Sequence, residues 1–362
     1  MLHFLRIYIV PGLVFQSVVI GGGYATGREL IEFFASSGPI GGVLGLVVAG
    51  AVFSAVIATS FEFARLARAY DYRHFCKALL GPFWRLFEIA YFLLLVLILS
   101  VIGSAAGEIF SDAFGWPQTV GILLLAAAIA ILTFAGSEAI ARIFSFWSVL
   151  LYAVYITMFV FAFQAFGDRI SETFAHAQIG EGWVSGGVRY AGYNLALIPV
   201  ILFAITRLKS RRETIGAGLA AGPLAVIPAV LFFVAMMARY PEIIEQPVPS
   251  AYLMGALGVA WLEILFQIVV FGTFIETGAG LLHAVNERVA ANFADRGRKM
   301  PRYARPLAAG AILLVSVFAA SAIGIVDLIA KGYGLLTYAF IAVLIIPVMT
   351  LGLWRVIRGN AD

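Results

Sequence analysis

Only 12% of the 362 residues are charged, so an acid in the middle of an apolar run stands out. Glu276 is such an acid, and Thr273, Thr277, Gly280 and His283 fall near it at helical spacing. A carboxylate at the centre of a bilayer costs on the order of 3 kcal/mol, so it has a partner or a task. Two tasks suit Glu276: accepting a proton during a transport cycle, or binding the amine of a cationic solute. The structural alternative is a partner for an arginine.

A second stretch carries its chemistry in the backbone. Gly21-Gly22-Gly23-Tyr24-Ala25-Thr26-Gly27-Arg28-Glu29 lies inside the hydrophobic run Leu5–Ser36. Each glycine in a helix interior costs roughly 1 kcal/mol relative to alanine, which predicts two half-helices joined by an unwound hinge over Gly21 to Gly27. Irregular backbone at that depth survives only when buried in protein or lining a wet cavity. The half-helix starting near Thr26 presents free N–H groups to an anion, and the one ending near Gly21 presents carbonyls to a cation. Gly22, Gly23, Tyr24, Ala25, Thr26 and Gly27 are therefore candidate contacts for a zwitterion or a sodium ion. The competing reading is close helix packing on small residues.

The elements around these residues follow from hydropathy. A chain 62% hydrophobic, with mean hydropathy +0.99, is a polytopic helical membrane protein. Ten spans are expected: Leu5–Ser36, Ile40–Ala69, Phe83–Phe114, Pro117–Ala135, Ala139–Phe166, Trp183–Arg207, Glu213–Arg239, Tyr252–Ala290, Tyr303–Ala322 and Ile325–Arg355. With both termini on the cytoplasmic side, 19 of the 24 basic residues fall inside, including Arg142 and Arg296. That bias explains the net charge of +4 without a nucleic-acid partner. A single cysteine, Cys76, excludes an intramolecular disulfide and any multi-cysteine metal site.

The glycine hinge has a counterpart about 170 residues later, in Arg189-Tyr190-Ala191-Gly192-Tyr193-Asn194, followed by Pro199. Tyr190, Gly192, Tyr193 and Asn194 are the mirror contacts. The chain divides into a first five-helix repeat at 1–166, an external loop at 167–182, a second repeat at 183–355 and a cytoplasmic tail at 356–362. Five spans per half make the repeats inverted. Discontinuous helices one and six in that layout are typical of secondary transporters.

Several of these residues resemble a known family. The stretch from Gly21 to Glu29 resembles the G-x-G-[FY]-A-[ST]-G-x-E pattern that opens the YkvI-like bacterial membrane proteins. Gly192-Tyr193-Asn194, the run from Gly272 to Gly278, and Lys331-Gly332-Tyr333-Gly334 are similar to that family too. By similarity the family is grouped with the amino acid–polyamine–organocation superfamily of LeuT-fold carriers. The resemblance implies a LeuT-like 5+5 inverted repeat in a bacterial inner membrane. It also implies a sodium site shared by Thr273 and Thr277 with the carbonyls of Gly21 and Tyr24. A gate pairing Arg28 with Asp327, or secondarily with Glu108, follows from the same layout. Glu29 with Lys331 is a neighbouring pair, Asp327 with Lys331 the competing one, and Arg6 with Glu62 an inner gate.

No H-E-x-x-H, G-x-S-x-G or P-loop pattern is present, and the four histidines are scattered, so an enzyme is not expected. The expectation is a secondary transporter of an amino acid or related amine, working by alternating access around a midplane site. Sodium coupling is favoured over proton coupling, and no cofactor beyond a bound sodium ion is expected. The partners are a small solute and the lipid bilayer. A channel, or a solute sensor on the same fold, is the alternative.

Overall fold

The computed structural model describes residues 2–134, 137–295 and 297–359, all helical or connecting, with no strand among the described residues. Seven helices are long and apolar enough to cross a membrane, and Leu5–Val19 and Gln118–Phe134 are apolar but shorter. In chain order, α1 covers 2–19, α2 Gly22–Ala25, α3 Arg28–Phe34, α4 Gly38–Leu66, α5 Tyr72–Leu80, α6 Trp84–Phe114 and α7 Gln118–Phe134. Next come α8 Ser137–Ala175, α9 at 183–205, α10 Arg211–Met236, α11 Pro249–Leu257, α12 Ala260–Asp295, α13 Ala304–Ile323 and α14 Ile325–Arg358.

The first run breaks within the glycine-rich stretch. Ile20 leaves helical geometry at φ −74°, ψ 65°, and the Gly21 N–H turns to the Val19 carbonyl at 2.8 Å. A second interruption follows α2 at Gly27, whose φ of +76° lies in the left-handed region. A methyl there would also meet Met236 Sδ at 2.7 Å, so glycine is required twice over.

Elsewhere the structure departs from the expected layout. Helix α9 stays helical throughout, tightening to a 3-10 turn at Leu195–Leu197 instead of unwinding. Pro199 lacks an N–H and cannot continue a regular α ladder, and a short 3-10 turn absorbs the defect. Gly192 is a packing residue: a methyl there would meet Thr337 Cγ2 at 2.7 Å, and the Thr337 hydroxyl donates to the Arg189 carbonyl at 2.9 Å. Much of the loop expected at 167–182 is helix, because α8 continues to Ala175. The expected span Tyr252–Ala290 is two helices, α11 and α12, divided after Leu257 at Gly258 with φ +67°. The expected tail at 356–362 is helical through Arg358, while residues 360–362 and Arg296 lie outside the described residues.

The central seam joins α4 to α10. A methyl at Gly222 would collide with the Gly50 carbonyl and Ser54, and one at Gly218 would collide with the backbone of Ala58. Helix α1 packs on the same α10 through Gly12, and α9 meets α4 where Gly187 approaches the Gly45 carbonyl. A second group, α6, α7, α12 and α13, packs alongside. Small residues here bring backbones into contact, as membrane helices do when dispersion replaces the hydrophobic effect.

Candidate binding site at the broken first helix

The break places Glu29 where sequence reasoning did not. From the first turn of α3, its side chain folds back so that Oε1 lies against Gly23 of α2. The carboxylate is buried, at 4% exposure, and its Oε2 accepts a hydrogen bond from the Tyr193 hydroxyl of α9 at 2.5 Å. Tyr333 of α14 stacks on Tyr193 with ring centroids 4.5 Å apart and planes 8° apart, and its hydroxyl approaches the same carboxylate. Three distant segments thus meet on one acid.

Aromatic rings close the surroundings. Phe33 stacks on Tyr193, and Tyr190 packs edge-on against Phe33, Phe34 and Tyr193. Tyr24 lies near Phe232, and the Tyr155 hydroxyl donates to the Ala25 carbonyl at 3.0 Å, pinning the short helix α2. The hydroxyls of Tyr24 and Tyr190 are buried without a hydrogen-bond partner. Within the turn, the Thr26 hydroxyl donates to the Gly23 carbonyl at 2.6 Å and accepts from the Arg28 N–H at 3.2 Å. Asn194 is buried and spends its amide on the Tyr190 carbonyl of its own helix.

On α12, Thr277 stands beside the break. A methyl at Gly21 would lie 3.9 Å from Thr277 Oγ1 and 3.8 Å from the Val18 carbonyl. Thr273 instead donates its hydroxyl to Val269 on its own helix at 2.8 Å. Glu276 is half-buried and makes no ion pair among the described residues, so no arginine or lysine there claims it. No group of three or more His, Cys, Asp or Glu side chains is arranged for a metal ion among the described residues.

The expected gates do not form. Arg28 bonds Glu32 at 2.7 Å and the carbonyls of Ile244 and Gln246 at 2.7 and 3.1 Å. Asp327 pairs with Lys331 at 3.0 Å on the surface, the competing i, i+4 arrangement, which also takes Lys331 from Glu29. Glu108 faces Asp112 and Gln118 instead of Arg28. Glu62 is held by Arg65 and Thr214 and is not paired with Arg6. In each ion pair a neighbour within one helical turn wins, because it requires no long-range fit.

Sequence reasoning missed Glu29, Tyr155 and Tyr333 as parts of this centre. The available signal was an acid two residues past the glycine run, inside an apolar segment. A surface cavity of about 600 Å³ opens beyond α3, lined by Ser36, Gly38, Glu172, His176 and Tyr240 among others.

No family model matches the chain. The uncharacterized membrane protein YkvI of Bacillus subtilis (strain 168) is 23% identical over 333 residues, which is 91% of this chain and 92% of that one. Among solved structures, the nucleobase-cation-symport-1 family transporter MHP1, closed on bromovinylhydantoin, superposes with a TM-score of 0.60. It is 18% identical, with 96% of this chain and 78% of that one covered. A Na+-coupled sialic acid symporter in a substrate-bound outward-open state gives a TM-score of 0.55 at 12% identity, with 95% and 87% covered. The chain shares its fold with these transporters.

Proposed function

We propose that this chain is a secondary active transporter of a small organic solute, an amino acid or related amine, in a bacterial inner membrane. The carrying observation is the break at Ile20 and Gly21, where the ordinary hydrogen-bond ladder is abandoned beside Thr277, Glu29 and the tyrosines of α9 and α14. A discontinuous helix at membrane depth is the usual holder of solute and coupling ion. The transporter fold of the solved relatives supports the same reading.

In this reading ten spans form two inverted five-helix repeats with both termini cytoplasmic. The cavity near His176 is the vestibule on the Arg28 side. The solute lies between the break and the tyrosine-bearing face of α9, touching Tyr24, Thr26, Tyr190 and Tyr193. Sodium is the favoured coupling ion, because hard cations take oxygen ligands and Thr277 offers one beside backbone carbonyls. Thr273 fits less well, since its hydroxyl is already engaged.

The test is uptake by the purified protein in vesicles under an imposed sodium or proton gradient. Saturable, gradient-driven accumulation that Gly22→Leu abolishes, while the variant still inserts, supports the reading. Normal uptake by that variant removes the hinge site, and unsaturable ohmic current points to a channel.

A further inference from the structure

Among the described residues the Glu29 carboxylate is an acid without a cation. It sits inside an apolar protein at 4% exposure, where a negative charge normally takes an arginine or lysine. Arg28, its sequence neighbour, has its terminal guanidinium nitrogens taken by Glu32 and two carbonyls. Lys331 is held by Asp327. Among the described residues it is phenols that reach Glu29: Tyr193 donates to it and Tyr333 approaches it, while Tyr190 packs edge-on against Tyr193 and the hydroxyls of Tyr24 and Tyr190 are unpartnered.

A carboxylate among tyrosines has the composition that recognises an organic ammonium. The acid supplies the opposite charge, the ring faces supply the cation–π attraction, and free hydroxyl oxygens accept the remaining N–H bonds. An ammonium brings three donors and no acceptor, complementing what this cluster leaves unsatisfied. The position is apt as well, because Glu29 Oε1 rests on Gly23, inside the break itself.

We propose that Glu29, with Tyr24, Tyr190, Tyr193 and Tyr333 around it, is the subsite for the ammonium group of the transported solute. The Tyr193 phenol and the ammonium exchange on one carboxylate. Closure therefore joins α3, α9 and α14 through the phenol, and binding releases them. The assignment rests on the carrier reading for the solute's passage, but the binding chemistry is testable without it.

Thermal stability of the purified full chain is measured against butylammonium, 1,4-diaminobutane and lysine, with butanol and butyrate as neutral and anionic controls. The amines raise the midpoint in a dose-dependent way and the controls do not. Glu29→Gln, which keeps an acceptor for Tyr193, weakens amine binding tenfold or more. Tyr193→Phe, which removes the competing donor and keeps the acid, tightens it several-fold and serves as the second variant if Glu29→Gln fails to fold. Amine binding by Glu29→Gln within twofold of the parent overturns the assignment. So does a parent protein that responds to pH but to none of the amines, which would leave Glu29 to protons alone. Vesicle uptake separates the two readings. Accumulation of solutes lacking an ammonium, equal in parent and Glu29→Gln, keeps the carrier and removes the subsite. Amine binding with no accumulation of any solute keeps the subsite and removes the carrier.

Discussion

Arg28 and Glu32, one helical turn apart on α3, form an ion pair at 2.7 Å in which the arginine side chain is 5% exposed. The same guanidinium ties α3 to the connection after α10 through the carbonyls of Ile244 and Gln246. This arrangement is structural and local, unlike the long-range gate the resemblance implied.

Arg28→Ala is therefore expected to lower stability by about 2 kcal/mol, since it strips charge-assisted bonds from half-buried acceptors. Asp327→Ala removes half of an exposed pair and changes stability by less than about 0.5 kcal/mol. Unfolding of both variants in mixed micelles, followed by fluorescence, tests the ranking. Equal losses would mean that Asp327 has a partner beyond Lys331.

The α4–α10 seam leaves no room for a side chain at position 222. Gly222→Val must force apart two backbones in contact, and overpacking typically costs about 1–3 kcal/mol even where side chains can yield. A largely aggregated profile in size-exclusion chromatography is expected for Gly222→Val. Gly310→Ala, with nothing within 4 Å of the added methyl, should elute as the parent does.

Thr277 and Thr273 differ in what their hydroxyls already do. With Thr277 beside Gly21 and Thr273 bonded to Val269, Thr277→Ala should raise the sodium concentration for half-maximal stabilisation by roughly tenfold, the scale of one lost ligand bond. Thr273→Ala should shift it less than twofold. Sodium titration of thermal stability reads both, and an unchanged value in Thr277→Ala would leave sodium without a site there.

Between the spans, Asp71 caps α5 by accepting from the N–H groups of Arg73 and His74 at 3.1 and 3.0 Å. Partial burial pushes its carboxyl up, but the hydrogen bonds from the backbone and ring of His74, and from Arg73, outweigh it and hold the group below the usual carboxylate value. A depressed folded value means stability that is complete above the unfolded value of about 4 and is lost as pH falls through the folded one. Asp71→Asn keeps a good cap without the charge, so its deficit against the parent at neutral pH should vanish in acid. A deficit that stays constant across that range would contradict this.

How much was legible in the sequence depended on distance along the chain. The break in this stretch is a local property of glycine density, but in place of one unwound hinge over Gly21 to Gly27 there are two interruptions, at Ile20 and at the left-handed Gly27, flanking the helical turn Gly22–Ala25. In α9 the α-helical segment ends at Asn194 and a 3-10 turn follows, while the approach of Gly192 to Thr337, from another helix, has no signal in the local pattern. The Glu29–Tyr193 bond spans 164 positions, and no pattern within either segment announces it. The Arg28–Glu32 pair was written at i, i+4 and lost to a family expectation that looked further afield.

Gly218 and Gly222 bring the main chains of α4 and α10 against each other, with the backbone of Ala58 and the Gly50 carbonyl where a larger residue would carry its side chain. Sliding one past the other would drive carbonyl into carbonyl, so the two travel as a single beam. Any opening of this protein must then be a swing of its other parts about that beam, and the interrupted strut at Ile20 and Gly27 is where the bending falls.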